Sequence, residues 1–103
     1  MQFEIKQGED LVIDVTRRDA AGVAVDISGD TITSKAAMRD FSDDLTVTVT
    51  NAAAGQFRLT ASAAQTALWP VATLDADAKY DGGPGLVRKS KTFRIKVTKG
   101  PTP

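Results

Sequence analysis

The 103-residue sequence predicts an all-β fold, an antiparallel β-sandwich of about seven strands, and three observations support this prediction. Several segments alternate apolar and polar residues with the period of two that a half-buried strand shows. Turn signals separate these segments at intervals of roughly 8 to 15 residues, which is typical of sandwiches, with a small barrel as the alternative. The length suits one domain, and the 42% hydrophobic and 25% charged contents are those of a globular chain.

The first half of the chain contains four predicted strands. "FEIKQ" and "LVIDVTR" each place alternate apolar residues on one face, and the turn-rich stretch "RDAAGVAVDISGD" follows them. Val23, Val25 and Ile27 are expected to form a short apolar contact within that stretch. "TITSKAAMRD" is the third strand, "FSDD" is a polar bend, and "LTVTVT" is the fourth strand, with the clearest alternation in the chain.

The second half begins with a predicted hairpin. "NAAAG" connects the fourth strand to the fifth, "QFRLTA", and Asn51 and Gly55 are both suited to the positive φ of such a loop. "ATLDADAKY" is the sixth strand, "DGGPG" is a loop, and "LVRKSKTFRIKVTK" is the seventh strand. These boundaries predict one domain over residues 1–99 and an extended tail over residues 100–103.

A helical turn over residues 62–69 is predicted between strands five and six. Ser62 and Gln65 have the spacing of a capping box, in which each side chain bonds the backbone N–H of the other residue. A proline then ends the run. Ala64 and Leu68 are four residues apart and are expected to pack on the sandwich.

Trp69 is the only tryptophan of the chain and has two interpretations. It either covers the end of the core or serves as a contact aromatic for a partner, because tryptophan is common in both places. Its apolar neighbours in the sequence favour the core.

Charge is unevenly distributed, although the total is zero. Residues 1–87 have a net charge of −6, whereas residues 88–103 contain six basic residues and no acidic one. Asp75 and Asp77 are therefore expected to form cross-strand ion pairs with the basic last strand. Nucleic-acid binding is not expected, because Phe93 is the only aromatic residue of the basic segment and lies on its apolar face, where it is not available for stacking of bases.

Lys89 and Lys91 share the parity of the apolar Phe93 in the last strand. Either these lysines overhang the end of the sandwich, or a β-bulge shifts the register between them and the rest of the strand.

Enzymatic activity is not expected. The chain contains no cysteine and no histidine, which excludes thiolate nucleophiles, imidazole bases and metal sites that need N or S ligands. Asp40, Asp43 and Asp44 lack the alternating oxygen ligands of a Ca²⁺ loop, and Asp75 and Asp77 lack the apolar setting of a catalytic carboxyl. No catalytic residue, metal or cofactor is therefore predicted.

Membrane association is not expected either. No segment approaches the ~18 apolar residues of a membrane span, and the first residues lack the basic start and apolar core of a signal peptide. We therefore expect synthesis in the cytoplasm without a signal peptide.

Four motifs in order, "IKQGEDLVIDV", "VDISGDTI", "VTNAAAGQFRLTASAAQTALWP" and the final "FRIKVTK", resemble small tail-associated proteins of bacteriophages and prophages. The resemblance is strongest to the N-terminal Ig-like domain of the phage baseplate upper protein family. It implies an Ig-like β-sandwich that serves as a non-enzymatic structural or docking component of the virion. It also implies other tail or baseplate proteins as partners, and further copies of the chain as a second kind of partner.

An interface of this kind has seven candidate residues, chosen for aromatic or charged character: Trp69, Asp40, Asp43, Asp44, Arg88, Lys89 and Lys91. The alternative function is a module that recognises a host surface glycan or protein. It would use loops at one end of the sandwich, with "DFSDD", "DGGPG" and Trp69 as the contact elements.

Overall fold

The computed structural model describes residues 2–83 and 86–101, which contain eight strands and one short helix. The all-β prediction is confirmed, as is a helix between the fifth and sixth strands. In chain order the elements are β1 (Gln2–Lys6), β2 (Leu11–Thr16), β3 (Thr31–Met38), β4 (Phe41–Asn51), β5 (Gln56–Ala61), α1 (Ala63–Thr66), β6 (Thr73–Asp81), β7 (Val87–Lys89) and β8 (Phe93–Thr98).

The strands form one hydrogen-bonded sheet in the order β1-β8-β6-β3-β4-β5-β2, with β7 also paired to β6. β4 joins two halves of this sheet, because its residues 41–45 pair with β3 and its residues 46–51 pair with β5. The sheet turns on itself along β4 and is nearly closed, so that the apolar faces of both halves enclose a single core.

One pair of strands departs from the predicted antiparallel arrangement. β1 runs parallel to β8, with Gln2 in register with Arg94 and Lys6 with Thr98. The chain leaves β1 through residues 7–10 and enters β2 in the other half of the sheet, so β1 has no hairpin partner. The backbone groups of β1 are paired instead with β8, the last strand, which runs in the same direction.

Sixteen apolar residues are buried in the described chain. Those of β1, β2, β6 and β8 are the residues that the period of two places inward, which confirms the predicted faces. They are Ile5, Leu11, Ile13, Ile27, Ala36, Leu45, Phe57, Leu59, Ala61, Trp69, Leu74, Ala76, Ala78, Tyr80, Ile95 and Val97. Within the turn-rich stretch only Ile27 is buried, and Val23 is 59% exposed, so the predicted apolar contact is reduced to one residue.

"FSDD" is part of β4 rather than a bend. Arg39 and Asp40 alone make the turn, because Met38 is already in register with Phe41. Strand alternation then leaves Asp44 exposed, whereas Asp43 is partly buried. Asp43 has hydrogen-bond donors in Gln65 and Trp69, so this polar segment forms a strand without burying an unpartnered charge.

A β-bulge divides the predicted seventh strand into β7 and β8. Between two register pairs, two residues of β6 face three residues of the other strand. The flanking pairs are Ala76 with Phe93 and Lys79 with Lys89. Ser90 holds the bulge, since its N–H donates to the Ala78 carbonyl at 2.8 Å and its hydroxyl accepts from the Ala78 N–H at 2.9 Å. Of the two alternatives that the parity of the lysines left open, the register shift is the one present.

α1 begins at the predicted cap, since the Ser62 hydroxyl accepts a hydrogen bond from the Gln65 N–H at 3.1 Å. The prediction that Ala64 and Leu68 pack on the sandwich is wrong, however, because Leu68 is 83% exposed. After Thr66 the backbone bonds span three residues, from the Leu68 N–H to the Gln65 carbonyl and onward. This tighter turn places side chains three apart on one face, so Thr66 and Trp69 point inward.

The hairpin of β4 and β5 holds the irregular stretch 17–30 against the sheet through Gly55. Gly55 has φ +69°, as predicted, while no residue other than glycine has positive φ in the described ranges, so Asn51 does not share this role. The Gly55 carbonyl accepts from the Arg17 N–H at 2.8 Å, and the Arg17 carbonyl accepts from the Val25 N–H at 2.9 Å. Residues 99–101 follow β8 without regular secondary structure.

Candidate docking groove

The sheet remains open between β2 and the edge formed by β1, β8 and β7. Among the residues described here, β2 pairs only with β5, and β7 pairs only with β6. Residues 7–10 connect β1 to β2, so the two edges meet at that end and separate toward the other. A groove of about 1010 Å³ occupies the separated end. It is the candidate functional site, and we call it the seam groove.

The floor of the seam groove is apolar. Ile13 and Val15 come from β2, and Phe3 and Phe93 come from the opposite edge. Phe3 and Phe93 pack edge to face with ring centroids 5.8 Å apart. Tyr80 closes the floor, is 4% exposed and packs edge to face on another core aromatic.

The rim of the seam groove is basic. Five cationic side chains and two carboxylates line it. They are Arg17, Arg18, Arg88, Lys89 and Lys91, against Asp14 and Asp19. Both carboxylates are engaged: Asp14 accepts from Arg58 Nε at 2.8 Å, and Asp19 Oδ1 accepts from the N–H groups of Ala21 and Val23. Four of the five cations form no ion pair within the described chain; the fifth, Arg17, binds Asp30.

Arg17 anchors the wall of the groove. Its guanidinium carbon lies 4.3 Å from the centre of the Tyr80 ring, and its Nη1 forms an ion pair with Asp30. Burial raises the pKa of the Tyr80 phenol, which the positive charge of Arg17 opposes. Arg17 is therefore a fixed structural cation, whereas the other rim cations have no carboxylate partner in the described chain.

The sequence-predicted basic candidates Arg88, Lys89 and Lys91 all lie on the rim of the seam groove. Arg17, Arg18 and Tyr80 also line the groove, but the sequence did not identify them as candidate interface residues. The one sequence signal for these residues was the pair Arg17 and Arg18 directly after the second strand. The sequence did not show that this pair lies opposite the last strand, because that position depends on the closure of the sheet. The expected pair of Asp75 with Arg94 is present at 3.6 Å, while Asp77 is in register with Lys35 of β3 instead.

The other predicted candidates do not join the seam groove. Trp69 is 1% exposed and lies in the core, so its ring is not presented to a partner. Its Nε1–H donates to Asp43 Oδ2 at 2.7 Å. Gln65 Nε2 donates to the same carboxylate oxygen at 3.0 Å and to the Asp44 carbonyl at 2.6 Å, rather than completing the capping box. Asp43 and Trp69 thus form one structural contact between β4 and the segment after α1.

The Asp43 carboxylate is held in its charged form by these donors. Burial alone would raise the pKa of Asp43, but the hydrogen bonds from Trp69, Gln65 and the Asp44 N–H together lower it. Because the pKa is lower in the folded state, the charged Asp43 stabilises the fold at pH values above its ordinary pKa of 3.8. This contribution is lost as the pH falls through the lowered pKa.

Replacing Asp43 by Asn should therefore flatten part of the acid dependence of stability. We expect the melting temperature of the wild-type chain to fall more steeply below pH 3.8 than that of Asp43→Asn, measured by circular dichroism in a series of acidic buffers. Asp40→Asn, in the exposed β3–β4 turn, is the control and should keep the wild-type profile. Parallel profiles for wild type and Asp43→Asn would contradict the assigned role of Asp43.

The loops proposed for glycan or surface-protein recognition do not lie together. Thr31, at the start of β3, is in register with Asp81, the first residue of the "DGGPG" loop. Asp40 follows the opposite end of the same strand. The two loops are therefore at opposite ends of the sheet, which corrects the expectation of one loop cluster; Pro84 and Gly85 of the second loop lie outside the described residues.

Residues 2–83 and 86–101 contain neither a metal-binding cluster nor a membrane-spanning helix. These ranges contain no group of three or more acidic side chains arranged to hold a metal ion. No helix within them is long and apolar enough to cross a membrane.

Comparison with known proteins gives a likeness of fold. No protein-family model matches the sequence, and no curated protein matches it. Among solved structures, the N-terminal domain of ORF48 of phage TP901-1 matches with a TM-score of 0.73 at 17% identity, over 96% of this chain and 86% of that one. The internalin-like protein lmo2027 of Listeria monocytogenes matches with a TM-score of 0.49 at 13% identity, over 96% of this chain and 27% of that one. The first match shows that the two chains share a fold.

Proposed function

We propose that the chain is a non-enzymatic structural or docking component of a bacteriophage or prophage virion, associated with the tail or baseplate. The observation that carries the proposal is the TM-score of 0.73 over 96% of the chain to a domain of a phage protein. The ordered motifs from "IKQGEDLVIDV" to "FRIKVTK" support the same assignment, because they resemble the Ig-like domain of the baseplate upper protein family.

The seam groove supports docking as the mode of action. It combines an apolar floor, a basic rim and two strand edges without strand partners in the described chain, which are features of a surface that receives another polypeptide. Other tail or baseplate proteins are the proposed partners, and a second copy of the chain is a further one. The proposed location is the assembled virion.

Mass spectrometry of purified particles tests this function. Phage particles induced from the host that carries the gene are banded on a density gradient, treated with protease to remove adhering protein, and analysed for peptides of this chain. We expect the chain at a constant ratio to tail proteins across the particle peak. An abundant cytoplasmic host protein is the contamination control. Absence of the chain from particles in which the tail proteins are fully covered would overturn the proposal.

A further inference from the structure

We propose that the seam groove binds an acidic, extended segment of a protein partner, which adds as a strand between β2 and β7. This inference rests on the proposed docking function and names the chemistry of the partner that the groove receives. It follows from three properties of the groove, namely its backbone edges, its charge and the state of its aromatic side chains.

The edge of β2 directs backbone groups into the seam groove. The Arg17 N–H donates to the Gly55 carbonyl, on the side where β5 lies. Because backbone N–H and C=O groups alternate sides along a strand, the groups of Asp14 and Thr16 point away from β5. Both residues line the groove. The groove therefore has a wall of backbone donors and acceptors that no strand of the described chain uses.

The edge of β7 is similar. The Ser90 N–H donates to the Ala78 carbonyl of β6, so alternation turns the backbone groups of Lys89 and Val87 away from β6. The Val87 carbonyl accepts one side-chain bond, from Arg88 Nη1 at 3.2 Å. Five antiparallel steps separate β2 from β7 along the sheet, so the two edges run in opposite directions. One added strand would be antiparallel to one edge and parallel to the other.

Charge complementarity selects an acidic occupant. Arg18, Arg88, Lys89 and Lys91 surround the groove without an ion pair in the described chain, while both rim carboxylates are already engaged. An added strand presents successive side chains to opposite faces, so that neighbouring side chains on one face are about 6.6 Å apart. Carboxylates at every second position would reach the basic rim, and apolar residues between them would contact Ile13 and Phe93 on the floor.

The aromatic side chains favour a peptide over a nucleic acid. Recognition of single strands needs aromatic faces that are open for stacking of bases. Tyr80 is 4% exposed with Arg17 over its ring, and Phe3 and Phe93 are packed against each other edge to face. The groove therefore offers charge and backbone hydrogen bonding, and only a polypeptide can form the backbone hydrogen bonds of an added strand.

Fluorescence anisotropy with a synthetic peptide tests the inference. The probe is a fluorescein-labelled peptide of about nine residues in which glutamate alternates with valine or threonine, a length typical of a strand. We expect saturable binding to the full chain that weakens between 50 and 200 mM salt. The same peptide with N-methyl groups on alternate backbone amides keeps its charge but loses strand pairing on one edge, and should bind about tenfold more weakly.

Two charge-reversed proteins locate the site. Lys89→Glu with Lys91→Glu should weaken peptide binding about tenfold or more, because it reverses the rim. Arg39→Glu with Lys96→Glu makes the same change in net charge at exposed positions outside the groove, and should change affinity less than about twofold. Thermal melts verify that both variants fold.

Four results would overturn the inference, the first three of which concern relative affinities. They are equal binding of the N-methylated peptide, tighter binding of a single-stranded oligonucleotide of equal length, and equal loss in the two charge-reversed proteins. Lack of binding at millimolar peptide would do so as well. None of them removes the chain from purified particles, so failure of this inference is distinguishable from failure of the proposed function.

Discussion

Trp69→Ala is expected to lower the free energy of unfolding by about 4 kcal/mol, within the 3 to 5 kcal/mol usual for loss of a large buried aromatic. Trp69 is 1% exposed, and its removal leaves a cavity between β4 and the segment after α1. It also removes the hydrogen bond that the indole donates to Asp43 at 2.7 Å. A domain of this size has a total stability of about 5 to 15 kcal/mol, so the variant would be close to unfolding.

The measurement is urea denaturation followed by circular dichroism, since the variant has no tryptophan fluorescence. Leu68→Ala is the matched control, because Leu68 precedes Trp69 in the sequence and is 83% exposed. It should change stability by less than about 0.5 kcal/mol. If Trp69→Ala does not fold, Trp69→Phe should fold with a loss of about 1 to 3 kcal/mol. A stable Trp69→Ala protein would contradict the core assignment and return Trp69 to the list of interface residues.

The second large effect is expected at Gly55. Alanine there must hold φ near +69°, and its Cβ would lie 2.3 Å from the Val25 carbonyl oxygen and 3.1 Å from that of Arg17. Both are backbone atoms, so the hairpin loop must separate from residues 17–25 and lose the bond between the Arg17 N–H and the Gly55 carbonyl. We expect a loss of about 3 kcal/mol, from conformational strain together with this displacement.

Gly22→Ala separates the two causes. Gly22 has φ +82°, but an added Cβ meets nothing within 4 Å. The variant should therefore lose only about 1 kcal/mol, the cost of positive φ alone. Chemical denaturation of both variants gives the difference directly. If the two losses are equal, the close approach of residues 17–25 to Gly55 does not contribute to stability.

Most of the strands were predictable from the sequence, because the alternation of side chains is a local property. Leu74 to Tyr80 in β6 and Ile95 with Val97 in β8 are buried as their parity indicates. The bulge was one of two predictable alternatives, since Lys89 and Lys91 have the parity of Phe93 and would share its apolar face unless they overhang the sandwich end or the register shifts.

The features that were not predictable depend on contacts between distant segments. "FSDD" reads as a bend by composition, but the two-residue turn before it and the donors from Trp69 and Gln65 make it a strand. The orientation of Leu68 depended on a change from four-residue to three-residue backbone bonds, which needs only a small rotation.

The seam groove was the least predictable feature. Its rim unites Arg17 and Arg18 with Arg88, Lys89 and Lys91, two groups of residues separated by about seventy positions in the sequence. Only the topology of the sheet shows that these groups face each other. The basic segment was identified from composition, but its opposite wall was not.

The parallel pairing of β1 with β8 has a mechanical consequence. In parallel neighbours, the start of one strand and the end of the other lie at opposite ends of the pair, as Gln2 and Thr98 do here. Tension applied between these two residues acts along the strands, so the interstrand bonds over five register pairs are loaded together in shear. An antiparallel pair pulled from adjacent ends would instead open one bond after another. The β1–β8 pair therefore resists tension along its strand direction with all five register pairs at once.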